Sequence, residues 1–121
     1  LYLRNQVDAD RDHSIRDAVL RAWQGAEAYT LSSYHTVGRL NKGAQIGAEA
    51  STNKIVWSEL DIMIHETAMR ILGARAELID DAEANEWLEG FLFSQAGPIY
   101  AGSNEIQRNI IAQRMLGLPK S

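Results

Sequence analysis

Apolar residues recur at steps of three and four along most of the chain, which is the spacing of an amphipathic helix. The first stripe predicts a helix that begins near Ser14, where Ser14 and Asp17 come close to a capping box, and that ends near Gly38. Its inward positions are Ile15, Ala18, Val19, Ala22, Trp23, Ala26, Tyr29, Ser33 and Val37. Because these positions form one continuous face, we expect the whole face to be buried.

Two further stripes predict a second long helix and a short third one. The second helix runs from about Glu49 to Leu72 and is stopped by Gly73. Its predicted core positions are Val56, Leu60, Met63, Ile64, Thr67, Ile71 and Leu72. The third helix spans about residues 85–95, and its apolar positions at helical spacing are Trp87, Leu88, Phe91 and Leu92.

A turn-forming loop follows and leads into a last helix. Gly97-Pro98 ends the preceding helix, and Gly102 allows the backbone to approach another group closely. Ser103 or Asn104 can cap the next helix, and exposed backbone donors at such a helix start form a natural cradle for a phosphate or another anion. That helix carries the apolar residues Ile106, Ile110, Ile111 and Leu116.

The pattern as a whole predicts an all-α fold, an antiparallel helical bundle that forms one domain over residues 1–121, because no segment alternates with a period of two. A hydrophobic content of 45% suffices for a modest core. The net charge of −4 comes from scattered residues of both signs, so we expect no nucleic-acid partner. Charged residues interrupt the longest apolar run, which argues against a membrane span, and the absence of cysteine is compatible with a cytoplasmic location.

The residues alone complete no metal site and no nucleophile–base pair. The D-x-D-x-D run at residues 8–12 begins like a calcium loop, but His13 stands where the turn needs Gly and Val19 stands where the bidentate Glu belongs. His65 and Glu66 lack the Glu-x-x-His spacing of di-iron bundles, so we expect a polar surface pair. No metal is therefore predicted.

The run at residues 99–112, IYAGSNEIQRNIIA, resembles the C-terminal signature of the acyl-CoA dehydrogenase family. Residues 114–119 look like the usual ending of that family, and residues 49–59 are similar to a helix of the same domain, especially in actinobacterial members. The resemblance covers essentially the whole chain. It implies that the chain is the later part of a C-terminal helical domain, in an enzyme that also has an N-terminal helical domain and a middle β domain.

The family resemblance implies a flavoenzyme that uses FAD to dehydrogenate an acyl-CoA thioester between its α and β carbons. A general base removes the α proton, a hydride leaves the β carbon for the flavin, and electrons pass to an electron-transferring flavoprotein. It also implies a homo- or hetero-oligomer, a dimer or a tetramer, in which these helices pack at the centre.

Five residues of the loop match family positions that contact cofactor or substrate. Ser103, Asn104 and Glu105 match the residues that line the FAD. Gly102 matches the glycine that packs against the acyl-CoA, and Tyr100 matches the aromatic residue beside the reacting carbons. The alternative is that Ser103 only caps a helix and Tyr100 only packs.

Two positions depart from the family pattern. Ala101 stands where many members carry the catalytic Glu, and since a methyl group cannot accept a proton, the resemblance implies a base outside this chain. The Gln-x-x-Gly-Gly segment that approaches the FAD of a neighbouring subunit reads Arg70-Ile71-Leu72-Gly73-Ala74 here. Its cofactor-binding residues would be Arg70, as a cation for the pyrophosphate, and Gly73.

Three functions remain open from the sequence. The first is the C-terminal part of an FAD-dependent acyl-CoA dehydrogenase whose base lies elsewhere. The second is a related subunit without its own base, in a mixed oligomer. The third is a helical interaction module with no cofactor. In each case the 121 residues by themselves are expected to be inactive.

Overall fold

The structure is a computed structural model that describes residues 13–78 and 80–120. Its α-helices are α1 (His13–Asn41), α2 (Glu49–Leu72), α3 (Ala82–Ser94) and α4 (Asn104–Arg114), and a short 3-10 helix, Gly73–Glu77, follows α2. The described residues contain no strand, so the predicted all-α fold is confirmed. The D-x-D-x-D run at residues 8–12 lies outside the described residues.

Helix α2 is the centre of the bundle, because α1, α3 and α4 all pack against it. Polar contacts at both ends show that α1 and α2 are antiparallel. At one end Arg39 Nη1 donates to Glu49 Oε1 at 2.9 Å, and at the other Arg70 Nη2 donates to Ser14 Oγ at 2.9 Å. The buried apolar residues of the described chain are Leu60, Ala68, Leu72 and Ala84. This is a small core, and most of it belongs to α2.

The expected buried face of α1 is wrong. None of the 29 described residues of α1 is fully buried, and two positions of the predicted face, Trp23 and Val37, are 55% and 52% exposed. The physical reason is that α1 packs chiefly against α2, so one helix covers only a narrow side of the stripe. Ser14 lies inside α1, and its hydroxyl accepts the hydrogen bond from Arg70.

His65 and Glu66 do not form the expected polar surface pair, because His65 packs between α2 and α3. The His65 side chain is only 19% exposed, and its ring meets the Trp87 ring edge-on at 5.7 Å. A β carbon at Gly90 would lie 2.3 Å from His65 Nε2, so the missing side chain is what lets the ring fit between the helices. Glu66 is exposed, as expected.

No helix among the described residues is both long and apolar enough to cross a membrane. The described part of the chain also contains no cluster of three His, Cys, Asp or Glu side chains that could hold a metal ion.

Helix α3 begins three residues earlier than the pattern predicted, because Asp81 caps it by accepting from the Ala84 N–H. Arg75 Nε donates to the Asp81 carboxylate at 2.8 Å, and this contact, followed by the Ala84 N–H, lowers the pKa of Asp81. A lowered folded-state pKa stabilises the fold above the ordinary value of 3.8, and this contribution is lost as the pH falls through the folded value.

We therefore expect Asp81→Asn to lower the urea midpoint at neutral pH but to change it much less well below pH 3.8, where wild-type Asp81 is also uncharged. Asparagine keeps the helix cap, so the difference isolates the charge. Urea unfolding followed by circular dichroism at several pH values measures it. The matched control is Asp80→Asn, an exposed neighbour. Equal losses at all pH values would show that the Asp81 charge is not responsible.

Candidate functional site

The loop between α3 and α4 is tightly folded and has an unusual backbone. The Asn104 N–H donates to the Pro98 carbonyl at 2.8 Å, and the Tyr100 N–H donates to the Ala96 carbonyl at 3.1 Å. Ala101 has a φ of 55°, and it is the only residue other than glycine with a positive φ among those described. A side chain in this left-handed conformation costs about 1–2 kcal/mol, so contacts elsewhere must maintain the loop.

Gly102 continues the left-handed backbone with a φ of 85°. A β carbon on Gly102 would lie 2.8 Å from Gln107 Nε2, which donates to the Ala101 carbonyl at 3.1 Å. The backbone angle therefore favours glycine here, and a β carbon would also displace the end of the Gln107 side chain that closes the loop.

The N-terminus of α4 is capped by Ser103, whose Oγ accepts from the Ile106 N–H. The expected cradle of exposed donors is absent from this described helix start. The Asn104 N–H donates to the Pro98 carbonyl, the Ile106 N–H to Ser103 Oγ and the Gln107 N–H to the Ser103 carbonyl. The backbone N–H of Glu105, followed by the Ser103 hydroxyl, lowers the pKa of the Glu105 carboxyl. The anion that satisfies this helix dipole is thus part of the chain.

Asn104 points inward, although the family resemblance placed it among the residues that line the FAD. Its exposure is 3%, and its Oδ1 accepts from Lys54 Nζ at 2.8 Å. Its amide nitrogen lies 3.1 Å from Ser58 Oγ and 3.5 Å from Glu59 Oε1, both on α2. Within this chain the Asn104 side chain therefore joins α4 to α2.

Tyr100 lies on the outer surface of the loop, where two other rings flank it. Its ring centroid is 6.0 Å from that of Trp57 on α2 and 6.2 Å from that of Phe93 on α3. Tyr100 is 38% exposed and Phe93 is 67% exposed. The three rings form an aromatic ledge directly before Ala101.

Arg70 and Gly73 lie away from the loop, at the opposite end of α2. Arg70 is twelve residues beyond Ser58, which corresponds to roughly 18 Å along the helix axis. It lines an open groove of about 380 Å³ between α1 and α2. The structure thus brings residues 100–105 together and does not bring Arg70 and Gly73 to them within one chain.

Sequence reasoning missed four residues that border the loop: Trp57 and Phe93 in the aromatic ledge, and Lys54 and Ser58 below Asn104. A signal existed for the last two. Ser51, Lys54 and Ser58 are polar residues at steps of three and four on the central helix, so they share one face, which lies roughly opposite the predicted core positions Val56 and Leu60. Trp57 and Phe93 carried no comparable signal, since their closeness to Tyr100 depends on how three elements pack.

Comparison with known proteins gives a family. The sequence profile described as "Acyl-CoA dehydrogenase, C-terminal domain" matches residues 2–116. The chain belongs to the acyl-CoA dehydrogenase family. Two relatives are both named acyl-CoA dehydrogenase IpdE1. The one from Mycobacterium tuberculosis is 36% identical over 118 residues, and the one from Mycolicibacterium smegmatis is 35% identical over 118 residues.

The match to these acyl-CoA dehydrogenases covers 98% of this chain in both cases, but only 30% and 29% of the relatives. The chain therefore spans about three tenths of the length of the curated relatives it matches. No solved structure gives a significant match.

The left-handed backbone at Ala101, in the loop of this acyl-CoA dehydrogenase family member, can be tested by substitution. We expect Ala101→Gly to raise the free energy of unfolding by about 0.5 kcal/mol, because relief of the left-handed strain slightly exceeds the added entropy of the unfolded chain. The control, Ala28→Gly in the exposed middle of α1, should lose about 1 kcal/mol. Urea unfolding compares the two variants, and equal losses would contradict the positive φ at Ala101.

Proposed function

We propose that this chain is part of the C-terminal helical domain of an FAD-dependent acyl-CoA dehydrogenase. The complete protein would remove two hydrogens from the α and β carbons of an acyl-CoA thioester and pass the electrons to an electron-transferring flavoprotein in the cytoplasm. The observation that carries the proposal is the loop at residues 100–105, an exposed and strained turn in front of a capped helix, in a chain of this family.

The residues at the start of α4 fit one part of FAD better than another. The Glu105 side chain is 77% exposed and holds the helix start as an anion, so it disfavours a phosphate there. Carboxylate and hydroxyl oxygens accept hydrogen bonds from hydroxyl groups, which the ribityl and ribose parts of FAD supply. In this proposal Ser103 and Glu105 bind hydroxyls of the cofactor.

Arg70 and Gly73 suit the pyrophosphate instead. The Arg70 guanidinium is a fixed cation with donors in a fork, which matches phosphate oxygens. Since Arg70 lies roughly 18 Å along α2 from Ser58 and Gly73 lies just beyond the end of α2, their FAD would be that of a neighbouring subunit. The exposed apolar residues of α1, namely Leu20, Trp23, Leu31, Tyr34 and Val37, support assembly into a dimer or tetramer.

FAD supplies the hydride acceptor when it is bound, and this chain supplies the positioning. Tyr100, held between Trp57 and Phe93, would form an apolar wall beside the reacting carbons and exclude water from them. Gly102 would pack against the thioester through its backbone, because Gln107 Nε2 occupies the side where a β carbon would stand. The α proton must go to a base outside this chain, since Ala101 has no acceptor and residues 95–103 contain no carboxylate.

Ala101 also supports a second candidate, a subunit that lacks a base and completes the FAD site of a partner subunit. An upstream carboxylate in the same protein distinguishes the two. The full-length protein should dehydrogenate an acyl-CoA alone in the first case, and only when mixed with its partner subunit in the second.

The test of the proposal is whether full-length protein purifies with flavin. Chromatography of the cofactor released by denaturation should identify FAD, and an acyl-CoA panel with electron-transferring flavoprotein as acceptor should show turnover. The 121-residue chain is the control and should show none, because it spans only three tenths of its relatives. Turnover by the 121 residues, or a full-length protein that binds no FAD, would contradict the proposal.

A further inference from the structure

A polar cluster lies between α2 and α4, directly beneath the proposed cofactor loop. It consists of Lys54, Ser58 and Asn104, and we call it the α2–α4 polar cluster. We infer that Lys54 and Ser58 are positioning residues, which act through Asn104 to hold residues 100–105 in the conformation that binds FAD. This inference rests on the proposed function.

Burial and hydrogen bonding show that the cluster is a specific arrangement. Ser58 is 0% exposed and Asn104 is 3% exposed. Lys54 Nζ donates to Asn104 Oδ1 at 2.8 Å, while Ser58 Oγ lies 3.2 Å from the same oxygen and 3.1 Å from Asn104 Nδ2. Buried polar groups cost free energy unless they are paired, and pairing fixes their orientation. The cluster therefore sets the position of the first residue of α4.

Ser58 contacts both ends of the loop. Asn104 ends the loop and meets the Ser58 hydroxyl. Gly97 begins the loop, and a β carbon on Gly97 would lie 3.3 Å from Ser58 Cβ and 3.6 Å from Ser58 Cα. Ser58, a small residue on α2, thus packs against both Gly97 and Asn104, and residues 98–103 must turn between these two positions.

The strain of the loop explains why such support matters for binding. Ala101 and Gly102 have consecutive left-handed φ angles of 55° and 85°, and an isolated turn with this backbone would relax. If support is lost, a smaller fraction of the protein holds the binding conformation, and the apparent dissociation constant rises in proportion. Affinity for FAD then falls even though the helices remain folded.

The experiment measures FAD affinity in full-length apoprotein by flavin fluorescence titration, below the unfolding temperature of every variant. Lys54→Met keeps most of the side-chain volume and removes the donor, and it should raise the dissociation constant about tenfold, the effect of losing one part-buried hydrogen bond from a charged group. Lys54→Arg restores a donor and should recover most of the affinity. Ser58→Ala, which removes one hydroxyl, should weaken binding in the same direction. Lys42→Met, an exposed lysine in the α1–α2 connection, should bind as wild type does.

Amide hydrogen exchange in the apoprotein gives a second readout that needs no cofactor. Lys54→Met and Ser58→Ala should speed exchange at residues 101–107 and leave α1 unchanged. Unaltered FAD affinity and unaltered exchange in both variants would overturn the inference, as would a loss of thermal stability without any change in affinity. If wild-type full-length protein binds no FAD, the proposed function fails, whereas the exchange at residues 101–107 still decides whether the cluster holds the loop.

Discussion

Replacement of Asn104 by leucine is expected to lower the free energy of unfolding by about 3 kcal/mol. Leucine has a similar size but offers no hydrogen bond, so the part-buried Lys54 ammonium loses its acceptor and the buried Ser58 hydroxyl keeps only its bond to the Ile55 carbonyl. A hydrogen bond to a charged group contributes about 1.5–3 kcal/mol and a neutral one about 0.5–1.5 kcal/mol. Urea unfolding of the 121-residue chain, or of full-length protein if the shorter chain does not fold alone, measures the loss.

The matched control for this substitution is Asn109→Leu, which makes the same chemical change at an exposed position of α4. We expect it to change stability by less than about 0.5 kcal/mol, as is usual for surface positions. If both variants lose the same amount, the inward orientation of Asn104 is wrong, and its side chain is free to face a cofactor.

Gly102→Ala is expected to affect both stability and substrate binding. Alanine at a φ of 85° costs about 1–2 kcal/mol, and its β carbon would push Gln107 away from the Ala101 carbonyl. In the full-length protein the displaced Gln107 would no longer hold the Ala101 carbonyl, so the backbone proposed to pack against the acyl-CoA would shift. We therefore expect the dissociation constant for an acyl-CoA to rise at least about tenfold, equivalent to about 1.4 kcal/mol.

Gly43→Ala separates the two effects, because Gly43 has nearly the same φ of 84° but open space around its β-carbon position. It should show a similar backbone cost in urea unfolding and no change in acyl-CoA binding by isothermal titration calorimetry. An acyl-CoA affinity that is unchanged in Gly102→Ala would remove Gly102 from the proposed substrate site.

The bounds of α2 could be predicted from the sequence because two local signals coincide. The apolar positions repeat with the helical period from Glu49 to Leu72, and Gly73 follows at the stop. The start of α3 was predicted three residues late, since the periodic apolar residues begin after the cap and Asp81 sets the true beginning. A side-chain cap sets where such a helix begins, and the capping hydrogen bond is seen only in the structure.

Burial on α1 could not be predicted in the same way. The pattern shows which face is apolar, but what covers that face depends on the other elements. Trp23 and Val37 belong to the apolar stripe and are nevertheless more than half exposed. Within the described residues α2 is the principal neighbour of α1. The apolar stripe of α1 is wider than the surface that α2 covers, so part of the stripe stays exposed.

The candidate loop could be predicted because the whole sequence of residues 99–112 resembles a family signature. The residues that surround the loop in the fold could not be predicted. Lys54 and Ser58 meet Asn104 across 50 and 46 residues of chain, a separation that no local pattern reveals. The predicted anion cradle is absent because Pro98 and Ser103 already accept from the N–H groups of Asn104, Ile106 and Gln107. Glu105 also places a negative charge in the first turn, where it interacts favourably with the helix dipole.

The most direct test of the account is the visible absorbance spectrum of purified full-length protein during anaerobic addition of an acyl-CoA. We predict the spectrum of a bound oxidised flavin, and bleaching of its long-wavelength band when the substrate is added, because hydride transfer reduces the flavin. A base-lacking subunit would show the flavin but would bleach only after its partner is added. A colourless protein that releases no flavin on denaturation would contradict the account.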